Sequence, residues 1–295
     1  MADRIAGNTS NLIKIYYNGK SKIIRRLCDL VNQLTELGQA AYEHSLIKSG
    51  NPHKIAFDDL AQEEEISINA GFRNSIYRGK YLGSSLTTAQ GNVIANGTFT
   101  DMYIGDYWTI NNINYRIAAF DYWLNCGDSA CTKHHIVLVP DVSLYSAIIN
   151  ESNITAGGYV GSKMYTENLA NAKTIVGNAF GSAHILSHRE YLTNGYPSGS
   201  VWVNSTVELM NERMVYGNTV FTSVSSGSTI SNLYTIDKGQ LPLFHFEPSR
   251  ITNRETWWLR DVVTDAAFAC MNGNGFADYD NASCDYGVRP VFGIC

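Results

Sequence analysis

Cysteine, histidine and carboxylate positions define the chemistry this chain could perform. Cys126-x4-Cys131-x2-His134-His135 places two thiols and two imidazoles close in sequence, the donor types that bind zinc. The spacing fits no common finger, and the run leads straight into an apolar stretch at 136–139. Plain packing therefore ranks ahead of a metal site or a local disulfide. His184-x3-His188 has the helical spacing of a zinc protease, but position 185 is Ile where the general-base Glu belongs. Surface or capping roles are expected for both histidines. Asn272, Asn274, Asp278 and Asp280 could offer oxygen ligands to calcium, yet they lack the ordered spacing and terminal Glu of an EF-hand loop. There is no Gly-x-Ser-x-Gly elbow, P-loop or dinucleotide fingerprint, and the carboxylates are too scattered to nominate a glycosidase pair. The expectation is a binding protein with no catalytic group, no resident metal and no cofactor.

Elements must position whatever binds. Tyr107-Trp108-Thr109-Ile110 and Ile113-Asn114-Tyr115-Arg116-Ile117 flank Asn111-Asn112 and read as a β-hairpin. Ile136-Val137-Leu138-Val139 is an apolar strand ended by Pro140. A helix is predicted over 162–180, with Met164, Leu169, Ala172, Val176 and Phe180 near one face. Ser205-Thr206-Val207-Glu208 spells a capping box, predicting a second helix with Leu209, Met210 and Met214 inward. Residues 243–246, 257–259 and 288–294 are further strand candidates. Two helices among many short strands predict an α+β domain over 96–295, with no internal repeat.

Upstream, Ile23, Leu27, Leu30, Leu34, Leu37, Ala41 and His44 follow alternating steps of four and three, a heptad seam. This predicts an α-helical, short coiled-coil stalk over residues 1–50 that aligns protomers, with a helix docked on its own domain as the alternative. Gly50-Asn51-Pro52 breaks it. Residues 51–95 read as a connector, acidic at Glu63-Glu64-Glu65 and then rich in Gly, Ser, Thr and Gln.

The C-terminal part reads as two strands holding a long polar stretch from Asp265 to Gly287, dense in Asn, Asp, Gly, Ser and Tyr. A loop of that length in a compact domain usually carries function. Its composition matches antibody binding loops, with aromatic anchors among small adaptable polar residues. The residues expected to touch ligand are Asn272, Asn274, Phe276, Asp278, Asp280, Asn281, Ser283, Cys284, Asp285 and Tyr286, with Cys270 a further candidate. Of Trp257 and Trp258, strand alternation places one in the core and lets the other border the site.

Two resemblances sharpen this reading. Asn51-Pro52-His53-Lys54-Ile55, followed by Asp59-Leu60, resembles an element of phage tail-fibre proteins, which are usually trimeric. Trp258-Leu259-Arg260 and the ending Gly287-Val288-Arg289-Pro290-Val291-Phe292, with Met102–Trp108, Ile117–Asp121 and the 159–215 section, resemble C-type-lectin-like variable proteins that retroelements diversify in gut phages. The resemblance implies a C-type-lectin-like domain with a variable region at about 257–295, in which scaffold residues Trp258, Arg260 and Arg289 stay fixed. It also implies adenine-directed codon changes, and Lys, Glu, Gln, Trp and Met are indeed missing from Asn272 to Gly287. The implied protein is a virion-tail adhesin, homotrimeric, binding a bacterial surface protein or glycan and joined to other tail proteins through its N-terminal region. The alternatives are a member of the formylglycine-generating oxidase fold, with Cys270 and Cys284 as the oxidising pair, and a purely structural tail or baseplate protein.

Bulk properties agree with those partners. A net charge of −5 with no basic stripe argues against nucleic acid. With 44% hydrophobic and only 17% charged residues, most of the chain should fold under a surface of Asn, Ser, Thr, Gly and Tyr. Neither a signal peptide nor an apolar run of membrane-spanning length is visible, so synthesis in the bacterial host cytoplasm and release with the virion are expected.

Overall fold

A computed structural model describes residues 29–36, 69–222 and 239–295. Residues 29–36 form a helix, α1, on which Leu30 and Leu34 are 50% and 67% exposed. The remaining seam positions, and the Asn-Pro-His segment, lie outside the described residues.

Ser67 to Cys295 form one compact unit. It begins well before residue 96. Helix α2 (Ala70–Arg73), strand β1 (Tyr81–Gly83) and helix α3 (Thr88–Ala95) all belong to it, and β1 pairs in parallel with β2 (Tyr107–Ile110). The connector boundary at 95 is therefore corrected. A composition rich in Gly, Ser and Thr hid a capping box, in which Thr87 and Gln90 exchange side chain-to-backbone bonds to start α3.

The fold is α+β and mostly sheet. A six-stranded sheet has the order β1-β2-β3-β4-β13-β8, using β3 (Ile113–Phe120), β4 (Ile136–Pro140), β13 (Pro290–Ile294) and β8 (Val207–Leu209). The β2–β3 hairpin turns at Asn111 and Asn112 with φ of 50° and 63°, the left-handed pair a tight two-residue turn requires. A π-helical turn (Met164–Asn168) runs into helix α4 (Leu169–Phe180), and the predicted apolar face is buried. Phe180 meets Trp108, Tyr115 and Phe292 of the sheet at ring separations of 6.1, 5.2 and 5.7 Å.

A second, five-stranded sheet has the order β11-β10-β9-β12-β5, built from β11 (Ala277–Asn281), β10 (Ala267–Met271), β9 (Trp257–Val262), β12 (Tyr286–Val288) and β5 (Tyr145–Ala147). Strands β6 (His188–Thr193) and β7 (Ser200–Ser205) form a separate ribbon. The chain leaves β12 and enters β13 through Arg289, which is fully buried. Its guanidinium donates to the carbonyls of Pro140 (2.8 Å) and Ile251 (3.2 Å) and lies over Trp257 and Phe244. The expected single strand at 288–294 is thus two strands hinged at a cation.

Two further expectations change. The box at Ser205–Glu208 starts no helix, because Ser205 ends β7 and Val207 opens β8. The Ser205 hydroxyl does donate to Glu208 at 2.9 Å, but across a strand junction. Helix α5 (Glu212–Tyr216) starts later, with Asn211 accepting from the Met214 N–H at 2.8 Å. Residues 243–246 are not a strand but lie in helix α6 (Pro242–Phe246), whose proline stands in the first turn. Among the described residues, no helix is long and apolar enough to cross a membrane.

Candidate ligand-binding surface

The stretch read as one long loop is a β-hairpin plus a turn. β10 pairs antiparallel with β9 on one side and β11 on the other. All of β9 and β10 is buried, whereas β11 alternates between half-buried and exposed. This corrects two site residues. Trp257 and Trp258 are both fully buried, because β9 is an inner strand covered on both faces and alternation exposes neither. Cys270, 2% exposed, stands opposite Trp258 in the ladder. Burial pushes its thiol up to about 12, with Asp278 and Asp280 adding to the effect.

The turn between β10 and β11 is organised by Asn272. Its side-chain oxygen accepts from the N–H of Asn274 (3.0 Å) and Phe276 (3.2 Å). Gly275 adopts a φ of 90° there, and a Cβ would lie 3.1 Å from that of Thr252. Asn272 is therefore half-buried and structural, while Asn274 and Phe276 project, the latter 68% exposed. Along β11, Asp278 and Asp280 point to the side opposite Tyr279. Tyr279 is 45% exposed and packs on Phe221 at 5.0 Å.

A second turn follows. Ala282 is buried, its carbonyl accepting from the N–H groups of Ile149 and Asn150. Asn281, Ser283 and Asp285 are exposed around it, and Ser283 donates to Asn153 at 2.7 Å. Tyr286 rests on Trp258 at 4.9 Å and donates its hydroxyl to Asp280 at 2.5 Å. That bond holds the Asp280 carboxyl below its ordinary range and raises the Tyr286 phenol. Cys284 is half-buried, and burial followed by the Asp280 charge raises its thiol. Beside this turn an open cleft of about 480 Å³ lies between Ser143, Ser146, Glu255, Thr256 and Asp285.

No protein-family model, no curated protein and no solved structure matches the chain. Function must be read from the surface itself. Five predicted residues are exposed (Asn274, Phe276, Asn281, Ser283 and Asp285), and five are half-buried (Asn272, Asp278, Asp280, Cys284 and Tyr286). Sequence reasoning missed Tyr279 and Phe221. Tyr279 was within reach, since alternation along Asp278, Tyr279 and Asp280 sets it on the face opposite the two aspartates once the hairpin is known. Asp265, Asp278, Asp280 and Asp285 are the charged residues from 265 to 287, and all four are acidic.

Behind the hairpin stands a buried ionic network. Arg260 of β9 pairs with Glu190, which also accepts from His188 at 3.0 Å. Glu208 accepts from Tyr159 (3.0 Å) and Ser205 (2.9 Å). Trp123 stacks on His188 at 4.0 Å and on His135 at 5.6 Å. Asp261 accepts from the Glu212 N–H at 2.6 Å, and the Glu212 carboxylate accepts from the N–H groups of Val220, Phe221 and Thr222 at 3.1, 3.0 and 3.1 Å. A chain of bonds thus runs from β9 to the aromatic ring that supports Tyr279.

The other chemical candidates are spent on packing. Cys126 donates to the Leu124 carbonyl and Cys131 to that of Lys133, both as free thiols. His134 meets Asp121 at 2.7 Å, and His135 sits between the Lys133 carbonyl and the Trp123 N–H. His184 ends a short 3-10 turn while His188 starts β6, so the pair shares no helix. Surface or capping roles fail for His188, which is buried. Among the described residues, no three His, Cys, Asp or Glu side chains gather to hold a metal.

Proposed function

We propose that this chain is a receptor-binding adhesin of a bacteriophage tail, in which a C-type-lectin-like scaffold presents a changeable tip to the host cell surface. The observation that carries this reading is the split within the C-terminal sheet. β9 and β10 are sealed, while β11 and its two flanking turns expose aromatic rings and short polar groups that the core does not use. Phe276 and Tyr279 offer rigid contact area, and Asn274, Asn281, Ser283 and Asp285 offer adaptable hydrogen bonds, the combination that antibody loops use. Weak single sites of this kind gain from repetition, and the exposed Leu30 and Leu34 of α1 suit a coiled-coil seam that would array three copies. The rival oxidase reading needs a thiolate, and both Cys270 and Cys284 have thiols shifted away from ionisation.

The test is binding of the full chain to intact candidate host cells and to protease-treated or periodate-treated cells. Saturable binding lost on one treatment names the receptor as protein or glycan. Binding that survives replacement of Asn274, Phe276, Tyr279 and Asp285 together would overturn the assignment of the tip.

A further inference from the structure

β11 is the outer strand of its sheet, so one row of its backbone groups faces no neighbouring strand. The register fixes which row. Asn272 N–H donates to the Phe276 carbonyl and Ala282 N–H to the Ala266 carbonyl. These bonds continue the same ladder that sets Cys270 opposite Asp278 and Phe268 opposite Asp280. Bonded and non-bonded pairs alternate in an antiparallel ladder. Asp278 and Asp280 therefore turn their backbone groups toward β10, and Ala277, Tyr279 and Asn281 turn theirs outward.

Both outward N–H groups at Tyr279 and Asn281 are already engaged. The Tyr279 N–H donates to Oδ1 of Asp278 at 2.9 Å, and the Asn281 N–H donates to Oδ1 of Asp280 at 2.7 Å. The Asn281 carbonyl accepts from the Cys284 N–H at 2.9 Å. Tyr286 holds the second oxygen of Asp280, fixing that carboxylate in place. We propose that Asp278 and Asp280 seal the free edge of β11 against strand addition, above all by β11 of a second copy of this chain. An edge strand is self-complementary about a two-fold axis, so another copy is the standing competitor for it. An incoming carbonyl would have to displace a charged acceptor from the Tyr279 or Asn281 N–H, and self-pairing would also set aspartates near aspartates. A partner therefore meets this tip through side chains such as Phe276 and Tyr279, not by extending the sheet. The seal does not depend on what the tip binds.

The experiment compares full-length wild type, D278A/D280A and D278N/D280N by light scattering over a concentration series and by amide hydrogen exchange. Asn keeps a side-chain oxygen for the N–H while removing the charge, and Ala removes both. In the Ala variant, Tyr279 and Asn281 amides should exchange at least about tenfold faster, and the mass should climb above wild type with concentration. The Asn variant should keep the wild-type mass. An Ala variant that stays at the wild-type mass overturns the proposal. So does an Asn variant that assembles as readily as the Ala variant, because repulsion between charges would then be the whole effect. If the double Ala variant does not fold, D278A, which spares the Asp280–Tyr286 bond, should speed exchange at Tyr279 and raise the mass. Failure of both overturns it equally.

Discussion

β9 and β11 lie two strands apart in one sheet and employ their charged residues in opposite ways. On β9, Arg260 and Asp261 reach away from their own strand, to Glu190 and to the start of α5, and both are buried. On β11, Asp278 and Asp280 bond the next residue's own N–H. Removing a long-range buried partner leaves a stranded charge, whereas removing a local half-buried one at the sheet edge returns an N–H to water. The polar letters look alike in sequence, but only the first set is itself buried in the core. A surface that can change without unfolding its scaffold needs this division.

The comparison breaks most readily at the buried side. Arg260→Met leaves Glu190 without its cation and is expected to cost about 3–5 kcal/mol. Trp257→Ala should cost a similar amount, about 3–5 kcal/mol, by opening a cavity beneath Arg289. Both are read from denaturant midpoints. Equal midpoints for wild type and either variant would mean that β9 is as replaceable as β11.

A pH series sharpens the same contrast. Glu208 is pushed up to about 7 from its ordinary 4.5, first by burial and then by Glu190. The folded chain holds that proton more tightly than the unfolded chain, so the stability it confers is full below pH 4.5 and lost as pH rises through 7. Burial pulls His135 down to about 4 from 6.5. Its contribution is present above 6.5 and lost as pH falls toward 4. The slopes oppose each other between pH 4.5 and 6.5, each at most about 1.4 kcal/mol per pH unit. Glu208→Gln removes one of them. Its stability should rise with pH from 4 to 6.5 and then level, where wild type is flat and then declines. Parallel profiles for the two proteins would contradict the burial of a neutral Glu208.

The smallest effects belong to the tip. Phe276→Ser and Tyr279→Ser should each shift stability by no more than about 0.5 kcal/mol, since neither ring is enclosed. A loss of more than about 1 kcal/mol for Tyr279→Ser would mean that its contact with Phe221 is structural.

Much of this division could be read from residues alone. The β2–β3 hairpin was legible because Asn-Asn is one of the few pairs that accept left-handed backbone, and α4 because five apolar positions kept helical spacing. Asn274, Phe276, Asn281, Ser283 and Asp285 stood out for their chemistry. The hairpin around them did not. Ala267–Met271 is apolar throughout and shows no alternation, while in Ala277–Asn281 the alternation of Ala277 and Tyr279 with two aspartates is too short to mark a strand by itself. Cys270 and Trp257 were misplaced for the same reason, since an inner strand covered on both faces has no outward side. Ser205–Glu208 failed differently. Its two side chains do bond each other, but not in the side chain-to-backbone exchange of a capping box, and tertiary burial of Val207 and Leu209 decided the backbone.

The central claim is tested most directly by one chain in which Asn274, Phe276, Tyr279, Asn281, Ser283 and Asp285 are all replaced by other small or aromatic residues. Its thermal midpoint and its host-cell binding are then measured together. The account predicts a midpoint within about 2–4 °C of wild type, the shift that about 1 kcal/mol produces in a domain of this size, together with loss of binding. A collapsed midpoint, or full binding by the altered tip, would contradict it.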